Sequence, residues 1–94
     1  MISRNEWIEE NIGNVTVLPN QYDHAIIGIC YSFGGEAKTA YDLDKVIKVL
    51  VEEDGMTNEE AEEFFDFNIL GSYVGETTPV YIRTYDGPEN TKAY

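Results

Sequence analysis

Ninety-four residues leave room for one domain, and 43% hydrophobic with 13% aromatic content is enough to fill one modest core. Eighteen acids against six bases give a formal charge of −12. That field repels nucleic acid and anionic membrane, since binding either rests on Lys and Arg, and it favours solubility first and basic partners second.

In chain order, Ser3-Arg4-Asn5-Glu6 fits a capping box, with Ile2 and Trp7 at staple spacing, so a helix is expected from about Arg4 to Ile12 and ending at Gly13. Val15 to Leu18 is short enough for an edge strand. Ala25 to Phe33 is rich in β-branched and aromatic residues, and its larger odd positions (Ile27, Ile29, Tyr31, Phe33) are expected to face the helices. Gly34-Gly35 supplies a turn, and Ala37 to Tyr41 returns as a partner strand.

A second helix starts at Asp42, whose carboxylate caps the first turn. Leu43, Val46, Ile47 and Leu50 share one face of it, and Gly55 stops it. Thr57-Asn58-Glu59-Glu60 is another capping box, opening a helix that buries Ala61, Phe64, Phe65 and Asn68 and closes at Gly71. The short Gly55-Met56 link makes these two helices a hairpin. Pro79 to Tyr85 reads as a last strand. The expected fold is α+β: a small, mainly antiparallel sheet, a helical hairpin on one face, and an N-terminal helix. Residues 1–86 form one domain in this reading, and 87–94 fray.

Chemistry is sparse. Glu52, Glu53, Asp54, Glu59, Glu60, Glu62, Glu63 and Asp66 place eight carboxylates within fifteen residues. They lack the alternating spacing and sixth-position glycine of a calcium loop, and a crowded exposed face does not split two carboxyl pKa values for acid/base work. His24 and Cys30 stand roughly 20 Å apart if extended at about 3.3 Å per residue, too far for a nucleophile–base pair, and zinc lacks two further ligands. Gly28 and Gly34-Gly35 are followed by no phosphate-binding lysine. No catalytic residue, metal ligand or cofactor site is therefore expected. A single cysteine, with no apolar run near the roughly 20 residues of a membrane span, points to a reducing cytoplasm.

What remains is recognition. Glu59, Glu62, Glu63 and Asp66 on the third helix are candidate partner-binding acids, although a solvated helix face explains them more simply. Gly71 to Pro79 has the aromatic, hydroxyl and glycine positions of a binding loop, with Tyr73 and Glu76 as candidate contacts. Asn68 just before it would brace the loop if buried, and Tyr73, Tyr81 and Tyr85 could share an interface.

Tyr22 to Gly28, Tyr41 to Ile47, Asp54 to Ala61 and Phe65 to Pro79 carry an Asp-Gly-Met stretch and an Asn-x-x-Gly-x-Tyr-Val-Gly-Glu-x-Thr-Pro run. Together, over roughly two-thirds of the chain, they resemble a group of small bacteriophage and mobile-element proteins. The resemblance implies a protein working inside an infected bacterium and carries over no functional residue. The expected function is a non-enzymatic interaction protein that binds a host or phage macromolecule, with a protein partner, one of basic surface among the options, as in counter-defence or DNA-mimic inhibition. The alternatives are a small-ligand or nucleotide-binding accessory domain, and a homo-oligomer pairing through a strand edge.

Overall fold

A computed structural model describes residues 2–72 and 74–85. Helix α1 (Arg4–Ile12) begins with the expected box: Ser3 Oγ accepts from the Glu6 N–H at 3.1 Å, and the Glu6 carboxylate accepts from the Ser3 N–H at 2.9 Å. A 3-10 turn (Asn20–Ala25) then holds α1 from outside. The Asp23 carboxylate accepts from the Arg4 and Asn5 amides at 3.1 and 2.7 Å, satisfying two first-turn donors that no helix can satisfy by itself. In return, the Arg4 guanidinium donates to the carbonyls of His24 and Ile26. This clasp seats Ile8, 1% exposed, in the core.

Strand β1 (Ile26–Cys30) pairs antiparallel with β2 (Lys38–Asp42), and β2 pairs in parallel with β3 (Val80–Ile82), giving the order β1-β2-β3. The sheet is thus mixed. The reason lies in the connection: β2 runs straight into α2 (Leu43–Asp54) and α3 (Asn58–Phe64) before the chain returns to β3. Parallel neighbours need a crossover of a dozen or more residues, and the helical hairpin is that crossover. Asp42 caps α2 by accepting from the Lys45 N–H at 3.2 Å, and Gly55 ends it in the left-handed conformation, φ 70° and ψ 20°. The α2 stripe is wider than Leu43, Val46, Ile47 and Leu50, since Val49 is buried as well.

Three expectations need correction. The odd positions of β1 do not all face the core: the β1/β2 register shifts between Ile26 and Gly28, so a bulge changes the alternation. Ile26 lies before the bulge and Ile29 after it, both toward the core, while Ile27, Tyr31 and Phe33 are exposed. Val15 to Leu18 joins no sheet edge. It follows side chains of the central strand instead: the Leu18 N–H donates to Tyr41 Oη at 2.7 Å, and Thr39 Oγ1 donates to the Thr16 carbonyl at 3.3 Å. The last strand is three residues long, shorter than Pro79 to Tyr85.

The core centres on β2, where Thr39, Ala40 and Tyr41 are all buried. Tyr41 and Tyr81 are register partners in the parallel ladder, and their rings stack at 5.8 Å. Phe65 meets Tyr81 edge-on at 5.0 Å. The hairpin and the sheet are locked through these three rings, by contacts that add about 0.5–1.5 kcal/mol per pair beyond burial. The expected tail, 87–94, lies outside the described residues.

Candidate functional site

The third helical segment differs most from its sequence reading. Thr57 and Glu60 form the capping box: Thr57 Oγ1 accepts from the Glu60 N–H at 3.1 Å, and the Glu60 carboxylate accepts from the Thr57 N–H at 2.9 Å. The α-helical pattern then lasts only to Phe64, and Phe65–Leu70 continue as a π-helix. Wider i to i+5 bonding shows at the end, where the Gly71 N–H donates to the Asp66 carbonyl at 3.1 Å. A Cβ on Gly71 would lie 3.0 Å from that same carbonyl oxygen, a tight approach that a side chain there would have to ease by a few tenths of an ångström.

This change of pitch redistributes the side chains. Ala61 and Phe65 point into the core, Ile69 packs against it, and Asn68 is exposed. The wider turn carries Asn68 off the face of Phe65, while Ile69, four residues on, stays on it. Asn68 therefore does not brace the following loop. Thr78 does that work: its hydroxyl accepts from the Val74 N–H at 2.9 Å and donates to the Gly75 carbonyl at 2.6 Å. Thr77 Oγ1 also lies 3.4 Å from Thr16 Oγ1, tying the loop to the segment before the 3-10 turn.

On the outer side, Phe64, Phe67, Leu70 and Val74 are exposed, Phe67 by 81%. Phe64, Phe67 and Asn68 form one wall of an open trough of about 530 Å³, with Gly55 and the half-buried Met56 opposite. Asp54, Glu60 and Glu63 complete its lining. Of the acids singled out from sequence, Glu63 belongs to the trough. Glu59 and Glu63 form one i,i+4 line on the outward face, and Glu62 and Asp66, also four apart, form the adjacent line on that same face. All four are exposed. Glu76 lies elsewhere, in a shallow groove of about 200 Å³ shared with Glu36, Lys38 and Thr78 beside the β1/β2 turn. Tyr73 lies outside the described residues.

Sequence reasoning missed Met56 and Phe67 as site residues and gave Phe64 to the core. Phe67 was the available signal, because it falls off the Ala61/Phe65 stripe in a run of acids. Of the three tyrosines expected to share an interface, Tyr81 is half-buried in the ring stack, Tyr85 is 74% exposed, and Tyr73 lies outside the described residues. The perturbed phenols belong to the core. Burial raises the pKa of Tyr22 and of Tyr41, and burial with neighbouring phenols pushes Tyr81 up to about 12.

The chemistry available at the trough is contact and charge. Among the described residues, the two ion pairs are Lys48–Glu52 and Arg83–Asp44, and neither engages Asp54, Glu60 or Glu63. No group of three or more His, Cys, Asp or Glu among the described residues is arranged to hold a metal ion. No helix among them is long and apolar enough to cross a membrane. Comparison with protein-family models, with curated proteins and with solved structures gave no match to this chain.

Proposed function

We propose that this is a non-enzymatic interaction protein that binds a protein partner of basic surface through the outer side of the helical hairpin. The observation that carries the reading is the pairing of exposed aromatics with negative charge. Phe64 and Phe67 stand beside Asp54, Glu60 and Glu63, in a stretch where nine acids and no base fall between Lys48 and Arg83. Solubility alone accounts for the acids but does not call for Phe64 and Phe67 to be exposed together along one acid-lined trough.

A small-ligand role is less well supported, because the trough is open and offers few convergent polar groups. Self-association through β1 meets two obstacles. The strand is bulged in its pairing with β2, and Arg4 already occupies the Ile26 carbonyl at its start. A counter-defence or DNA-mimic role inside a bacterial cytoplasm is the setting that the phage-type resemblance suggests, and it fits an acidic face of this kind.

The test is a pull-down from bacterial lysate at low and high salt, with wild type beside a variant carrying Glu59→Gln, Glu62→Gln, Glu63→Gln and Asp66→Asn. One dominant basic partner, lost both at high salt and in the variant, supports the reading. A partner that survives both treatments moves the site to the Tyr73 loop, and no enriched partner counts against an interaction role.

A further inference from the structure

The geometry points to an amphipathic, basic α-helix of the partner as the occupant of the trough. Its apolar side chains would sit between Met56 and Phe67, and its Lys or Arg would face Asp54, Glu60 and Glu63. The inference deepens the proposed function and rests on it.

The occupant's backbone is decided by the walls. On one side stands the end of α2 with its Gly55 corner, and on the other the α3 and π-helical turns. Both walls are helical, so the trough offers no strand edge to an extended peptide. A segment lying there must satisfy its own N–H and C=O groups, which a helix does and an extended chain away from a sheet does not.

Charge narrows the choice further. A second copy of this chain would bring another −12 and the same acids to the contact. Residues 86–94 carry two acids and one base, so they do not complement the rim either. Nucleic acid is repelled outright. A helix with one apolar stripe and basic flanks matches both features of the trough, its exposed aromatics and its acids, none of which pairs with a cation among the described residues.

The experiment uses the full chain and three fluorescent synthetic peptides, each about five helical turns long. The first places Leu on one face and Lys on the others. The second has the same composition in an order that spreads Leu around the helix. The third keeps the amphipathic pattern with Glu in place of Lys. Titration by fluorescence anisotropy should show the first binding at least about tenfold tighter than either of the others. Phe67→Ser should weaken it by about tenfold with an unchanged melting temperature, and Glu63→Gln by less.

Equal binding of the first two peptides would overturn the helix-in-trough inference and leave the acidic-face function standing. Failure of both basic peptides to bind would remove both. Unaltered binding by the Phe67→Ser protein would also overturn the inference, since the aromatic wall would then take no part.

Discussion

The N-terminal half and the helical hairpin treat their polar groups in opposite ways. Around α1 and the 3-10 turn, charged side chains are spent inward. Asp23 takes two helix amides, Arg4 takes two carbonyls, and Tyr41 Oη takes the amide of Leu18. On the outer hairpin, Glu59, Glu62, Glu63 and Asp66 face solvent, and aromatic surface stands among such acids. A buried or bridging polar group is costly to remove, because its partner is left unsatisfied, whereas an exposed one is nearly free to change. The two regions should therefore separate stability from binding.

The strongest way to sharpen that contrast is at the seam between them. Phe65→Ala removes the ring that locks the hairpin onto Tyr81 and should cost about 3–5 kcal/mol, most of the stability of a small domain. Urea unfolding would show it. A loss below about 1 kcal/mol would mean that the ring site collapses without penalty or that the π-helical segment is not docked.

Alkaline pH probes the same core by another route. An unfolded phenol ionises near 10, whereas those of Tyr22, Tyr41 and Tyr81 are held above that, Tyr81 at about 12. Over this range the unfolded chain gives up protons first. Stability from these groups is thus complete below pH 10 and drains away as the pH rises towards 12. Denaturant midpoints measured across pH 9–12 should fall, and Tyr81→Phe should make the fall shallower. A flat wild-type profile would break the picture of a buried tyrosine cluster.

Smaller effects are expected at the clasp. Asp23→Ala strips two acceptors from the start of α1 and should cost about 1–2 kcal/mol, with faster amide exchange at Arg4 and Asn5. Unchanged exchange there would show that water replaces the carboxylate at no cost. At the bottom of the scale, Glu63→Gln and Phe67→Ser should move stability by no more than about 0.5 kcal/mol, although both belong to the trough. A large loss at either would erase the contrast, since it would give the outer face a structural job.

Much of the local architecture is legible from a few residues in sequence, because it depends on neighbours three or four positions away. Ser3 with Glu6, Asp42 before Leu43, Thr57 with Glu60 and the glycine after Asp54 each fix a helix end by reciprocal hydrogen bonds or a left-handed turn. The two-helix hairpin follows from them, and the acidic run is plain from the letters themselves. The site was only half legible. Glu63 could be singled out as an exposed acid, but its grouping with Met56 and Phe67 depends on where the hairpin places the end of α2.

Other features arise only when distant segments meet. The bulge at Ile27 reverses the alternation of β1, and period-2 reading has no means of sensing a register shift set by the partner strand. Parallel pairing of β2 with β3 depends on the direction in which the hairpin returns the chain. Asn68 reaches solvent because the helix widens into a π-turn, with Phe65 on Tyr81 and Ile69 against the core. Sequence by itself thus determined where helices begin and end and how charge is spread, since both are settled within a turn or two of chain. Tertiary structure decided strand order, strand parity and which aromatics remain outside, since these are settled by which long-range contacts bury the most apolar surface while leaving no backbone group unpaired.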